Sequence, residues 1–118
     1  MPFFAINGPG ADQQIQSVTI ASSGTTSTTL DLKSLGLVGF IIPSAFTGTT
    51  LTFNGSYNNT DFVSLYNTDN TQFSVTVATD RFYCVNPQDF LGARYVQFVS
   101  GSSEGAEREI IVILRSFQ

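Results

Sequence analysis

Residues 35–53, LGLVGFIIPSAFTGTTLTF, decide the fold class of this chain. The stretch is apolar enough for a buried helix or a membrane segment, but Gly, Pro, Ser and Thr interrupt it wherever a helix needs continuity. LVGFII (37–42) is an apolar run that ends at Pro43, and LTFNGSY (51–57) alternates between two faces. The stretch therefore predicts two β-strands joined at a corner.

The same pattern of short apolar or alternating runs separated by turn residues continues on both sides of this stretch. Strands are predicted at 15–20, 28–32, 37–42, 51–57, 62–66, 72–77, 81–85, 94–100 and 108–117. NPQDFLGA (86–93) predicts one short helical turn, because Pro follows a capping residue and Gly ends it. About 8–9 strands at this spacing, without a long helix or an internal repeat, predict an all-β sandwich or barrel.

The first 14 residues differ from the rest, so we predict an N-terminal arm over 1–14 and a single β-domain over 15–118. MPFFAI is apolar, and the Gly-Pro-Gly that follows cannot lie inside a helix or a central strand. One interpretation is a short edge strand or a frayed end. The other is an arm that places Phe3, Phe4 and Ile6 on a neighbouring chain, since exposed paired Phe needs a cover.

Charge and composition exclude several functions. The net charge is −4, and the five basic residues form no cluster that could follow a phosphate backbone or a lipid surface. We therefore expect no nucleic-acid partner and no membrane partner. There is no basic signal-peptide region and no uninterrupted apolar window of about 18 residues, which predicts synthesis in a cytoplasm and no membrane span.

The chain has no histidine, so neither a Ser-His-Asp set nor a His-containing zinc site is available. Acid–base chemistry would depend on carboxylates, and nearly all of them, Glu104 included, fall in predicted loops where such groups are normally solvated. Asp61 with Asn67, Asp69 and Asn70 is a weak calcium candidate that matches no known loop spacing. Cys84 lies in an apolar run and is expected to be a core residue. We therefore expect no enzyme activity, no metal and no cofactor.

A glycan site is the alternative for an all-β domain of this composition. Such sites present aromatic faces beside amide and carboxylate groups, and Tyr57, Asn58 and Tyr66 are the residues that could supply them.

Two predicted strands are apolar on both faces, although a two-layer sandwich buries only one face of each strand. In LVGFII the alternation separates Leu37 and Ile41 from Phe40, and in EIIVIL it separates Ile110 and Val112 from Ile111. Charged residues make up 12% of the chain, against about 25% in typical proteins. We expect the surplus apolar face to pack against another subunit, with Leu37, Ile41, Ile110 and Val112 as the interface candidates.

Several segments together resemble the jelly-roll head decoration (cement) proteins of tailed bacteriophages. They are LVGFIIPSAFTGTTLTF, the hairpin ending SYNNTDFVSLY, the segment RFYCVNPQDFLGARYVQFVSG, and the terminal REIIVILR. The resemblance covers roughly 70% of the chain, and its motifs build a fold rather than an active site. Where related sequences commonly have Asp-Gly in the hairpin turn, this chain has Asn58-Asn59.

The resemblance implies a jelly-roll-like antiparallel β-sandwich that is synthesised in the host cytoplasm and assembled on the capsid surface of a virion. It implies a homotrimer that binds the major capsid protein and cements neighbouring subunits. Similar sandwiches occur in phage tails and fibres, so a glycan- or receptor-binding module remains the alternative.

Overall fold

A computed structural model describes residues 13–116 of the 118-residue chain. That part contains nine strands and one 3₁₀ helix. The strands are β1 (Gln13–Ile20), β2 (Leu30–Asp31), β3 (Leu35–Ile42), β4 (Thr50–Ser56), β5 (Val63–Ser64), β6 (Ser74–Thr76), β7 (Arg81–Cys84), β8 (Tyr95–Ser100) and β9 (Arg108–Ser116), and the 3₁₀ helix is Pro87–Phe90. Over residues 13–116, no helix has the length and apolar character to cross a bilayer.

The strands form two antiparallel sheets with nested pairing. Sheet I has the order β1-β9-β3-β7, and sheet II has the order β2-β8-β4-β5 with β6 also paired to β4. The first strand therefore pairs with the last, β2 with β8, β3 with β7, and β4 with β5 and β6, as in a long hairpin that has been rolled up. This is jelly-roll connectivity, and it confirms the predicted jelly-roll-like antiparallel sandwich with its short helical turn.

The core lies between the two sheets and is rich in phenylalanine. Phe40 of sheet I packs edge-on against Phe98 of sheet II, with 5.5 Å between the ring centroids. Phe53 contacts Phe98 at 4.9 Å and Phe90 of the 3₁₀ helix at 5.2 Å. Edge-to-face contacts are favoured by the quadrupoles of the aromatic rings, so these contacts stabilise the packing of the two sheets.

Three of the predicted interface residues are wrong, because Leu37, Ile110 and Val112 are fully buried in the chain's own core. The alternation of β9 divides its side chains into two sets but cannot tell which set faces inward. Leu37 was misplaced for another reason. The register between β3 and β9 shifts between Leu37 and Gly39, and this β-bulge turns Leu37 onto the inner face.

The predicted arm lies almost entirely outside the described residues. Gln13 and Gln14 already belong to β1, where they pair with Arg115 and Leu114. The candidates Phe3, Phe4 and Ile6 belong to residues 1–12, which the structure does not describe.

Candidate functional site

The outer face of sheet I, which points away from the core, is apolar over two cross-strand rows. The pairings of β1, β9, β3 and β7 define those rows. One row is Ile15, Ile113, Gly39 and Cys84, and the other is Ser17, Ile111, Ile41 and Phe82. We call these eight residues the outer face of sheet I. Ile113 at its centre is buried, at 4% exposure, whereas Ile15, Ile111 and Phe82 are accessible and make the face a candidate interaction surface.

Two edge strands present the most exposed apolar groups of this face. Ile15 on β1 is 64% exposed and Phe82 on β7 is 57% exposed, while Ile111 between them on β9 is 36% exposed. The Phe82 ring lies over Gly39, where an added Cβ would come within 2.7 Å of the ring atom Cε1. Gly39 therefore lets an aromatic ring lie across the sheet.

Charged residues mark the two ends of the same face. Glu109 and Arg115 both lie on β9, and each is cross-strand from a polar residue of β1, Thr19 and Gln13 respectively. The Glu109 end has a shallow cavity of about 360 Å³, lined among others by Ile41 and Ile111. The face is thus an apolar strip with an acidic end and a basic end.

Sequence reasoning found only part of this surface. Ile41 does lie on the outer face, half-buried. Cys84, predicted as a core residue, is exposed, because it pairs with Gly39 and points outward. Ile15 and Phe82 were missed because each lies in an edge strand whose own alternation is irregular, so only the pairing with β9 and β3 shows their direction.

A second candidate site is a groove beside Tyr57, at the end of sheet II. A cavity of about 420 Å³ has Val63 and Leu65 on its apolar side and the carboxylates of Asp61 and Asp89 at its margin. Tyr57 lines it and is 77% exposed. A cavity lined by an exposed aromatic ring, apolar side chains and carboxylates could bind a small polar ligand.

The three predicted glycan residues do not share this groove. Tyr66 lines a neighbouring cavity of about 300 Å³, which has Leu65 and Asp89 in common with the Tyr57 groove. The Asn58 side chain serves the hairpin turn instead. Its Oδ1 accepts hydrogen bonds from the backbone N–H groups of Thr60 and Asp61, and its Nδ2 donates to the Asp61 carboxylate.

Glu104 is a buried carboxylate, so the expectation that it is solvated is wrong. It is 1% exposed and accepts hydrogen bonds from the backbone N–H groups of Thr47 and Gly48, the Ser100 hydroxyl and the Arg108 guanidinium, at 2.9–3.0 Å. Burial raises the pKa of Glu104, but these four donors outweigh it and lower the pKa below its usual value. With every oxygen occupied, this group is structural.

The weak calcium candidate is divided between two turns. The Asp61 carboxylate accepts from Asn58, while the Asp69 carboxylate accepts from the backbone N–H and the hydroxyl of Thr71, which lowers the pKa of Asp69. Residues 13–116 contain no group of three or more His, Cys, Asp or Glu side chains arranged to hold a metal ion.

The fold is similar to that in the crystal structure of the SPBc2 prophage-derived protein YomS. The two align with a TM-score of 0.55 and 16% sequence identity over 89% of this chain and 96% of the YomS chain. At this identity the likeness shows a shared fold and nothing further. No protein-family model and no curated protein matches the chain.

Proposed function

We propose that this chain is a non-enzymatic structural protein of a bacteriophage virion, which binds the outer capsid surface and cements neighbouring major capsid protein subunits. A phage origin is supported by the shared fold with a prophage-derived protein. The single observation that carries a structural role is the apolar outer face of sheet I.

That face favours protein–protein contact for a thermodynamic reason. Burying apolar surface yields about 25 cal/mol per Å². Contiguous apolar patches of a few hundred Å² on soluble proteins commonly mark interaction sites. The face lies on four hydrogen-bonded strands, so we expect its backbone to change little in shape on binding. A protein that holds a shell together needs such a preformed surface and no chemistry.

The polar groups support the same proposal. Glu104 is engaged with Arg108 and the chain's own backbone. Asp31 forms an ion pair with Arg94, with 3.0 Å between Nε and Oδ1. These acids have structural partners, whereas acid–base catalysis requires a carboxylate placed to meet a substrate.

The proposal is tested on virions purified from the phage that encodes the chain. Quantitative mass spectrometry should find the chain in a fixed ratio to the major capsid protein, and immunogold labelling should place it on the head. Deletion of residues 1–10 should lower that occupancy if the predicted arm contributes. Absence of the chain from purified virions would overturn the proposal.

The Tyr57 groove favours one alternative, a glycan- or receptor-binding module of a tail or fibre. This cavity of about 420 Å³ is lined by the exposed ring of Tyr57 and by the carboxylates of Asp61 and Asp89. A glycan array should then give reproducible hits that Tyr57→Ala removes and Phe82→Ala, on the other sheet, leaves intact. Labelling on the tail with such hits would replace the capsid proposal by this one.

A further inference from the structure

We infer that the outer face of sheet I binds a second copy of this chain in a two-fold dimer, with the two β9 strands crossing antiparallel. The inference rests on the surface that carries the proposed function, but it assigns that surface to a second copy of the chain and leaves the capsid contact to the other surfaces of the dimer. It commits to a two-fold contact where the resemblance implied a trimer.

The distribution of charge on β9 is self-complementary under a two-fold axis. Glu109 and Arg115 face outward six positions apart, roughly 20 Å along the strand. An axis that runs across the strands, midway between Ile111 and Ile113, reverses the strand direction of the second copy. It therefore places Glu109 of each copy beside Arg115 of the other, so the dimer contains two identical ion pairs.

Arg115 does not have to leave its contacts within its own chain to form such a pair. A guanidinium carries five N–H donors and can serve more than one acceptor. The second copy's Arg115 would approach the cavity of about 360 Å³ that Glu107, Arg108 and Glu109 line together with Ile41 and Ile111. The Arg108 guanidinium already donates to Glu104, so the incoming cation meets the carboxylates of Glu107 and Glu109.

The same two-fold axis also determines which apolar side chains of the two copies face each other. Because the row of Ile113 lies over the row of Ile111 in the second copy, Ile15 lies opposite Ser17. The Phe82 ring lies over Gly39 of its own chain, so in the dimer it meets Ile41 of the second copy. Two sheets pack at about 10 Å when their side chains interdigitate in this way.

The expected contact area is that of a weak dimer. Four strands about 4.8 Å apart span roughly 19 Å, and β9 rises roughly 20 Å from Glu109 to Arg115, which gives about 400 Å² per copy and about 800 Å² for the pair. This lies below the area of standard interfaces, so we expect a dissociation constant of roughly 100 µM.

Sedimentation equilibrium of the purified full chain over a concentration series tests the inference. The unmodified chain should approach twice its 12.8 kDa mass. Glu109→Arg and Arg115→Glu alone each place two like-charge pairs in the dimer, and each should weaken association at least about 10-fold. The double variant Glu109→Arg/Arg115→Glu restores opposite charges and should return to within about 3-fold of the original. An equimolar mixture of the two single variants should recover similarly.

A matched pair of aromatic substitutions tests the apolar rows. Phe82 on β7 and Tyr66, which lies between β5 and β6, are 57% and 58% exposed. Phe82→Ala should weaken the dimer about 10-fold, whereas Tyr66→Ala should leave it unchanged. Circular dichroism verifies that every variant is folded, so a loss of association is not mistaken for unfolding.

Several outcomes would overturn the inference. They are a monomeric mass at all concentrations to about 1 mM, a trimeric mass, or a dimer whose dissociation constant is unchanged by both charge reversals. A three-fold contact joins two different surfaces, so the charge swap would not restore it. These results leave the virion proposal standing, because that proposal is decided by mass spectrometry and labelling of virions. Conversely, if the double charge variant restores the dimer while the chain is absent from purified virions, that pair of results would overturn the proposed function and support the dimer.

Discussion

The two sheets bury similar inner faces but differ on their outer faces. The outer face of sheet II is polar: Asn54 Nδ2 donates to Gln97 Oε1 across β4 and β8 at 3.2 Å, and the Ser64 hydroxyl donates to Asn54 Oδ1 at 3.4 Å. At corresponding positions sheet I has Ile111, Ile41 and Phe82. One outer face thus carries hydrogen-bonded polar side chains, and the other carries exposed apolar side chains.

The difference shows which part of an apolar sequence belongs to the fold and which does not. β8 alternates strictly between buried and partly exposed residues, and β4 does so from Thr50 to Gly55, as one-sided burial requires. On β9 the inner residues Ile110, Val112 and Leu114 are buried, and the outer residue Ile113 is buried as well, whereas the outer residue Ile111 is 36% exposed. Burial between the sheets accounts for the inner set and leaves Ile111 accessible.

The largest expected effect concerns the connections that join the two sheets. Glu104 lies in the β8–β9 connection and accepts hydrogen bonds from Thr47 and Gly48 in the β3–β4 connection. Glu104→Gln would turn an amide N–H towards a backbone donor and leave the Arg108 charge without its carboxylate. We expect it to lower the free energy of unfolding by about 3–5 kcal/mol in urea denaturation.

The same substitution should change the dependence of stability on pH. Because the pKa of Glu104 is lowered on folding, its contribution is fully present above the usual glutamate pKa of about 4.3 and is lost as pH falls through the lower folded value. The acid limb of the unmodified chain should therefore be steeper than that of Glu104→Gln. Glu107→Gln, an exposed carboxylate in the same β8–β9 connection, is the matched control, and equal losses from the two variants would contradict this assignment.

A smaller effect is expected from substitutions at adjacent residues on the two faces of β9. Ile110→Ala removes a fully buried side chain from between the sheets and should cost about 2–5 kcal/mol. Ile111→Ala, on the outer face, should cost about 1 kcal/mol in dilute solution and should mainly weaken association. Urea denaturation at a concentration where the chain is monomeric measures both. Equal costs would show that the outer face is part of the folding core.

Most of the fold follows from the sequence, but the orientation of strands and loops does not. Each of the nine strands lies at a predicted position, because turn residues and alternation are local signals. The outward direction of Phe82 and the inward direction of Leu37 depend on cross-strand register and a bulge, which are non-local. Glu104 was misjudged for the same reason, since two of its donors lie more than fifty residues earlier.

Converting the polar face of sheet II to an apolar one tests whether composition alone produces association. Asn54→Val/Gln97→Val replaces a hydrogen-bonded cross-strand pair by β-branched residues, so stability should change by less than about 1 kcal/mol. The new patch lacks a complementary pair of charged ends. We therefore expect the double variant to form no second defined dimer, only a slight upward drift of mass with concentration in sedimentation equilibrium. A discrete tetramer would show that apolar area is sufficient without charge.

The smallest effect is expected from the ion pair at the edge of sheet II, Asp31 with Arg94. The Arg94 guanidinium donates to both carboxylate oxygens at 3.0 and 3.3 Å and lowers the pKa of Asp31, so the contribution of the pair is fully present above the usual aspartate pKa of about 3.9 and is lost as pH falls through the lower folded value. The Arg94 side chain is 54% exposed and the Asp31 side chain 33% exposed, and salt screens such pairs. Asp31→Asn should lower the thermal midpoint only slightly, and about 1 M NaCl should remove the difference.

Asp31→Asn also tests whether the charges of the two sheets have different roles. Asp31 and Arg94 stabilise their own chain, whereas Glu109 and Arg115 are inferred to meet a second copy. Asp31→Asn should therefore leave the dimer dissociation constant unchanged while Glu109→Arg raises it about 10-fold, both measured by sedimentation equilibrium. If Asp31→Asn weakened the dimer as strongly as Glu109→Arg, the effect would reflect net charge, since each substitution makes the chain more positive. The specific pairing across the outer face of sheet I would then lose its support.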